Sequence, residues 1–176
     1  MFESWYPFRQ INVQPTVNEE ILLRKFSYSF KTDKRRYLVL IHEYKYKVFI
    51  IKFHDAAHKH LPNRYNLVFN DFNCTKVIRT VIEIALRLLD TEKIASFAFV
   101  GVNKEKKEKE FQSNTQRLRI YKLLSENVLG VETFLHGIEP QSNCYLLVNK
   151  KNKDPENLYV SIVDMFSAEY NELRHL

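Results

Sequence analysis

Short runs of β-branched and aromatic residues dominate the first third of the chain. Three of them, "KFSYSF", "RRYLVLIHEY" and "KVFIIKF", are separated by the polar breaks "KTDK" and "KYK". Runs of this length with short polar turns predict antiparallel strands joined in a meander. A fourth run, "RYNLVFN", follows a loop that contains Pro62, and we expect it to extend the third strand or to pair with it.

Helical spacing replaces this pattern in the middle of the chain. Apolar residues recur at intervals of three and four over residues 74–90, which predicts an amphipathic helix capped by Asn73. The run "ASFAFVGV" then predicts a strand. Ser113 and Gln116 form a capping box that opens "NTQRLRIYKLLSENVL", a second helix expected to end at Gly130.

Both ends of the chain are predicted from weaker patterns. The runs "VETFLHGI" and "NCYLLVNKK" indicate a hairpin, because Gly137 and Pro140 supply turn residues between them. We expect "LYVSIVDMF" to add a last strand and "SAEYNELRHL" to form a short terminal helix. Near the start, Thr16 and Glu19 make a capping box that predicts a short helix in "TVNEEILLRK".

The order of these elements defines the predicted fold class. It reads β-β-β-α-β-α-β-β, an α+β fold with a mixed, mostly antiparallel sheet. With 176 residues, no internal repeat and no low-complexity linker, one domain is expected. Within it we predict a sheet-and-helix core over residues 25–163. An N-terminal segment of undetermined order, 1–24, precedes the core, and a tail or short helix, 164–176, follows it.

Composition places the chain among globular proteins, with 45% hydrophobic and 27% charged residues. No run approaches the roughly 20 apolar residues of a membrane-spanning helix. The opening "MFESWYPFRQ" also lacks the order of a signal peptide, so we expect a cytoplasmic protein. Cys74 and Cys144 are not in CxxC spacing, and this predicts buried, reduced thiols.

The formal net charge of +6 favours anionic partners, nucleic acid included, only if the charges cluster. They do not cluster in the most charged stretch, "KEKKEKE", where lysine and glutamate alternate. Mixed charges without an aromatic residue predict a solvated loop. Nucleic-acid binding is therefore a further alternative that rests on net charge alone.

One local pattern accompanies the element order. Asn114 and Tyr121 have the spacing of Asn-x-x-Ala-x-x-x-Tyr, with Arg117 at the alanine position, and "NVLGVETF" follows. Together these features resemble GNAT-type N-acetyltransferases over residues 25–149. The resemblance implies a GNAT-like fold, acetyl-CoA as donor, and Tyr121 as the acid that protonates the departing thiolate. A carboxylate such as Glu43, or a water, would then deprotonate the amine.

The chain departs from that family at the start of the first helix. The family holds the coenzyme pyrophosphate there with a glycine-containing loop, because glycine lets backbone N–H groups approach phosphate. This chain has "FNDFNCTKVIR", without glycine and with Asp71, which would repel phosphates. In an altered donor loop, Asn73, Thr75, Lys76 and Asn114 would hold the coenzyme.

A second resemblance is to small bacterial proteins with "RYN" before a helix and a strand like "SFAFVG" after it. It implies no activity.

Histidines in "HDAAHKHLPNRY" form a candidate metal site. His54 and His58 are four residues apart and can meet on one helical turn, while His58 and His60 can share a strand face. A polar loop that is rich in histidine is the alternative interpretation.

Two groups of residues are candidates for binding an anion. Arg64 and Tyr65 pair a guanidinium with a ring, although an Arg stem covering apolar surface is the alternative. Arg117, Arg119 and Lys122 form the densest cationic set on the second helix. Arg117 and Arg119 diverge by about 200° on a helix of 3.6 residues per turn, so they do not share a face.

The leading functional hypothesis is a non-catalytic interaction or regulatory domain with an acyltransferase-like fold, no cofactor, and another protein as partner. The alternative is an N-acyltransferase that uses acetyl-CoA through an altered donor loop. In the first case Tyr121 is a core position, as its spacing from Leu118 and Leu124 indicates.

Overall fold

The computed structural model describes residues 4–17, 19–62, 64–65, 73–100, 116–139 and 144–173. These residues form seven strands, three α-helices and two short 3-10 turns. The strands are β1 (Phe8–Pro15), β2 (Leu22–Lys31), β3 (Arg36–Tyr44), β4 (Val48–Asp55), β5 (Ser96–Val100), β6 (Phe134–Glu139) and β7 (Cys144–Asn149). The helices are α1 (Cys74–Thr91), α2 (Gln116–Val128) and α3 (Pro155–Leu173), and the 3-10 turns are Lys45–Lys47 and Ala56–His58.

All seven strands belong to one mixed sheet with the order β1-β2-β3-β4-β5-β7-β6. Strands β1 to β4 are antiparallel neighbours, β4 and β5 are parallel, and β7 pairs antiparallel with both β5 and β6. Because β5 and β6 are both antiparallel to β7, they are parallel to each other. Helix α1 lies between β4 and β5 in the chain and α2 between β5 and β6, so both helices connect parallel strands in the same direction along the sheet. Since such crossovers are nearly always right-handed, both helices are expected on one face, and both contribute to one core cluster.

The predicted α+β class and the single mixed sheet are confirmed. The three-strand meander is β2 to β4, the first helix is α1, and "ASFAFVGV" supplies β5. The closing hairpin is β6 and β7, although Gly137 lies inside β6 and not in the turn, and α2 lies where the second helix was expected. The run 66–72, which contains most of the fourth predicted strand, and the lysine and glutamate loop lie outside the described residues, as does Ser113 of the second capping box.

The helix predicted from the Thr16 capping box is wrong, because β1 and β2 form a hairpin around this stretch. The Thr16 N–H donates to the carbonyl of Leu23 at 3.0 Å, and the Thr16 hydroxyl donates to the carbonyl of Leu22. Pairing along two strands outweighs a local capping preference that would order only a few residues. The segment before β1 is also held in place, since the Tyr6 N–H donates to Thr80 Oγ1 of α1 at 3.0 Å.

The last predicted strand is also wrong, because "LYVSIVDMF" lies inside α3. Asp154 Oδ1 accepts the Asn157 N–H at 3.2 Å, and Pro155 occupies the first helical position, where a missing N–H has no cost. Apolar side chains recur every four residues at Leu158, Ile162 and Phe166, which is helical spacing. The predicted boundary between core and tail at residue 163 falls within this continuous helix.

The sheet has a core on each face. The two-helix face is covered by α1 and α2, and its fully buried side chains include Ile82, Phe99 and Leu124. The α3 face carries a smaller cluster in which Ile162 packs with residues of β4, β5 and β7. On this face, residues 81, 82, 85, 97, 99 and 124 are buried, Leu89 is partly buried, and Tyr121 is buried as its core interpretation predicts.

Both cysteines are reduced thiols; Cys144 is buried and Cys74 is half-buried. None of the helices in the described ranges combines the length and the apolar character needed to cross a membrane.

Gly130 ends α2 in a left-handed conformation, with φ of 75°, and its N–H donates to the carbonyl of Ser125 at 3.1 Å. We expect Gly130→Ala to lower the free energy of unfolding by about 1–2 kcal/mol, because an L side chain disfavours this φ. Apart from its neighbours in sequence, no atom of the described residues lies within 4 Å of the added Cβ, so the cost comes from the backbone conformation and not from a clash. In urea unfolding, Gly130→Asn should cost less, since asparagine tolerates this region better. Equal costs would contradict the conformational explanation.

Candidate functional site

The end of β4 extends past its parallel neighbour. The pairing between β4 and β5 runs from Val48 opposite Ser96 to Ile51 opposite Phe99, while β4 continues to Asp55. Side chains alternate along a strand, so Lys52 and His54 point to the same face as Ile50, which is the α3 face. Polar side chains thus follow an apolar strand at the place where its hydrogen-bonded partner ends.

Ten residues after the end of β4, Tyr65 lies back against His54. The two rings stack, with centroids 5.2 Å apart and planes inclined by 19°. Arg64 Cζ lies 4.8 Å from the centroid of the Tyr65 ring, and Lys52 Nζ lies 5.8 Å from it. We call these four residues, Lys52, His54, Arg64 and Tyr65, the Tyr65 cluster. Three side chains that can carry a positive charge therefore surround one aromatic ring.

Burial and mutual repulsion disfavour the charged forms within this cluster. Burial, followed by the charge of Arg64, lowers the pKa of His54 to about 4 and also lowers the pKa of Lys52. Next to them on β3, burial and the charges of Lys52 and Lys25 lower the pKa of His42 to about 4. Both imidazoles are therefore neutral at pH 7. The positive charges around them are those of Lys52, Arg64 and Lys25.

The carboxylate that follows His54 on β4 is occupied elsewhere. Asp55 Oδ2 accepts from Arg35 Nη1 at 2.8 Å, and Asp55 Oδ1 accepts the Ala57 N–H at 2.9 Å. Burial alone would raise the pKa of Asp55, but the Ala57 and Arg35 bonds together lower it. Across the described ranges, no carboxylate forms an ion pair with Lys52 or Arg64.

The predicted metal ligands are not brought together. His54 stacks on Tyr65, His58 Nδ1 lies 3.4 Å from Asp55 Oδ2, and His60 is exposed in the following turn. In the part of the chain that the structure describes, no group of three or more His, Cys, Asp or Glu side chains is placed to hold a metal ion.

Glu43, the predicted base, lies at the centre of a network of ion pairs. Its side chain is 1% exposed and pairs with Arg24 Nε and, at 3.0 Å, with Lys47 Nζ. The same cations bind Glu92 at the end of α1, with Arg24 Nη2 at 2.6 Å and Lys47 Nζ at 3.2 Å. The hydrogen bond to Glu43 raises the pKa of Lys47, and the hydrogen bond from Arg24 lowers the pKa of Glu92. Each oxygen of the Glu43 carboxylate thus has a cationic partner.

The predicted coenzyme residues lie at the other end of α1. Asn73 caps the helix only through its carbonyl, which accepts the Val77 N–H at 3.0 Å. Thr75 is half-buried, and Lys76 Nζ lies 4.4 Å from the Tyr6 ring centroid. At 1.5 Å per residue, Lys76 and Glu92 are about 24 Å apart along the helix axis. Asn114 lies outside the described residues.

Tyr121, the predicted acid, is fully buried on α2, with its ring centroid 5.0 Å from that of Phe99 on β5. Its ring therefore belongs to the core of the two-helix face. Arg119 and Lys122 are exposed on the same helix and, three residues apart, share a face. The side chain of Arg117 lies outside the described part of α2.

Lys52 was missed as a site residue, because it lies within an apolar strand run and was assigned only to its strand. The sequence held one signal. Lys52 and His54 are two residues apart in "VFIIKFHD", so they place two polar side chains on one face of an otherwise apolar strand. The return of Tyr65 onto that face depends on the turn and has no local signal.

No family model matches the chain, and searches of curated proteins and of solved structures also give no match. Function is therefore inferred from the chemistry of the chain itself.

Proposed function

We propose that the protein is a non-catalytic interaction or regulatory domain built on an acyltransferase-like sheet of the GNAT type. Strand order supports the acyltransferase-like part of this proposal. Antiparallel strands lead into a parallel pair, β4 and β5, connected by α1, and α2 and a closing hairpin follow. This is the element order that the resemblance implies, with one strand added before it and one helix after it.

The state of Glu43 is the observation that carries the non-catalytic part. A general base needs a carboxylate that can reach and accept a substrate proton. Glu43 is 1% exposed and its oxygens are engaged by Arg24 and Lys47. The helix start that would receive the coenzyme is far from it and has no glycine. The predicted acid lies on α2, the base on β3 and the described coenzyme residues at the start of α1, and we expect them to serve the fold.

Calorimetric titration of the full chain with acetyl-CoA tests this proposal. We expect no saturable binding in the micromolar range, because the start of α1 lacks the loop that would hold the pyrophosphate. Micromolar binding that coenzyme A displaces, and that persists when Lys52 and Arg64 of the Tyr65 cluster are replaced, would contradict the proposal. Release of free thiol from acetyl-CoA in the presence of amines would contradict it as well.

The second candidate is an N-acyltransferase with an altered donor loop. It is favoured by the position of Tyr121 against Phe99, next to the point where β4 continues beyond its pairing with β5. If thiol release from acetyl-CoA is observed, Tyr121→Phe separates the two roles of this residue. The variant keeps the ring that packs on Phe99 and removes only the hydroxyl. Unchanged turnover would exclude Tyr121 as the acid, whereas lost turnover at unchanged stability would assign it.

A further inference from the structure

We propose that the Tyr65 cluster binds the phosphate group of a small ligand such as a nucleotide. This inference rests on the binding role proposed above and assigns it a ligand class and a place on the molecule. The site lies on the α3 face, beyond the end of the β5 pairing, and consists of Lys52, His54 and Arg64 around the Tyr65 ring.

Two cations and a neutral imidazole are concentrated around one point of this site. Lys52 Nζ, Arg64 Cζ and the His54 ring each lie within 6 Å of the centroid of the Tyr65 ring. Burial lowers the pKa values of Lys52 and His54, and the charge of Arg64 lowers both of them further. A bound anion relieves this repulsion, because each cation then gains an opposite charge at short range.

A buried nitrogen of His54 also indicates a ligand at this site. The residue is 4% exposed, and its Nδ1 has no hydrogen-bond partner within the residues that the structure describes. Buried polar atoms nearly always have a partner, so an orphaned one indicates a ligand or an ordered solvent molecule. A phosphate oxygen would accept a hydrogen bond from this nitrogen in its N–H form.

The donor set favours phosphate over a single carboxylate. A guanidinium offers two parallel N–H donors, a lysine offers a compact point charge, and an imidazole offers one more donor. A tetrahedral phosphate can receive all three through different oxygens, whereas a carboxylate has only two.

The geometry favours a small ligand over a nucleic-acid strand. Binding along a strand needs a basic groove with aromatic rings on which successive bases stack. Here the cations surround one point, and one face of the Tyr65 ring is already stacked on His54. The expected ligand group is therefore one terminal phosphate or pyrophosphate.

Titration of the full chain with pyrophosphate and with ADP, at constant ionic strength in chloride buffer, tests the site. We expect saturable binding, weakened at least tenfold by Lys52→Met and by Arg64→Gln. The methionine keeps the apolar stem of the lysine and removes only its charge. Lys93→Gln is the matched control, since Lys93 is exposed just after α1, outside the cluster, and its loss of charge should leave the affinity unchanged.

A second measurement does not depend on the stability of the variants. In ¹H–¹⁵N spectra of the histidine rings, pyrophosphate should shift the His54 nitrogens and leave those of His60, exposed in the following turn, in place. Equal affinity for pyrophosphate and ADP would identify the phosphate group itself as the ligand, and tighter ADP binding would identify a nucleotide.

Three results would overturn the assignment of the site. The first is that neither pyrophosphate nor ADP binds more tightly than chloride. The second is that the Lys52→Met and Arg64→Gln variants bind them with the affinity of the wild type. The third is that an oligonucleotide binds and pyrophosphate does not displace it. Failure of the two proposals can be told apart. Acetyl-CoA binding that persists in Lys52→Met and Arg64→Gln contradicts the non-catalytic role alone, while absence of pyrophosphate binding contradicts the Tyr65 cluster alone.

Discussion

Replacing Phe99 by alanine is expected to lower the free energy of unfolding by about 3–5 kcal/mol, the range for large aromatic side chains in a core. Phe99 is fully buried on β5, between β4 and β7, and packs against Tyr121 of α2. Its removal therefore opens a cavity that adjoins both the sheet and a helix. Urea unfolding followed by circular dichroism measures the loss, and an unchanged m value would show that the same transition is compared.

Adjacent leucines of α2 provide the control for this prediction. Leu124 is fully buried, whereas Leu123 is 49% exposed. We expect Leu124→Ala to cost about 2–5 kcal/mol and Leu123→Ala to stay within about 0.5 kcal/mol of the wild type. Comparable costs for the two leucines would mean that α2 does not pack on the sheet through the face that carries Tyr121 and Leu124.

Replacing Glu43 by alanine should lower the free energy of unfolding by about 2–3 kcal/mol. Removing one partner of a buried ion pair costs about 3–5 kcal/mol, because the other charge is left without compensation. Arg24 and Lys47 keep 36% and 40% of their side-chain surface exposed, so water and Glu92 offset part of this cost. Thermal and urea unfolding of the purified variant measure the change.

Glu20→Ala is the matched control for Glu43. Glu20 pairs with Lys45 at 3.6 Å but is 90% exposed, so its loss should change stability by less than about 1 kcal/mol. If Glu43→Ala proved as mild as Glu20→Ala, the network would not explain why this carboxylate is buried. The acyltransferase candidate would then gain support, since a carboxylate that is dispensable for stability is available for chemistry.

Sequence patterns predicted the elements whose local and long-range preferences agree. The regular spacing of α1 and the alternation of β2 to β4 were sufficient, because their apolar faces are also the faces that the core buries. The two errors arose where local signals disagree with packing. Thr16 lies in a capping box but closes the β1–β2 hairpin, and the β-branched residues of α3 suggested a strand although their four-residue spacing is helical.

The candidate site was predictable only in part. Arg64, Tyr65 and His54 could be chosen one by one from residue type, because an arginine beside a ring and a histidine in a loop are recognisable. Their convergence could not, since it depends on the side to which β4 directs Lys52 and on the path of the following turn. The same dependence explains why Glu43 could be proposed as a base before its partners, Arg24 and Lys47, were known.

The position of β7 between β5 and β6 has a consequence for synthesis on the ribosome. Residues 144–149 complete the hydrogen bonding of β5, which is made about 45 residues earlier in the sequence. Until β7 emerges, the nascent chain exposes one edge of a strand that carries Phe97 and Phe99. Pairings that are distant in sequence form slowly, and exposed apolar edges promote aggregation. Chaperones that shield such edges are therefore expected to matter most in the interval between the synthesis of β5 and that of β7.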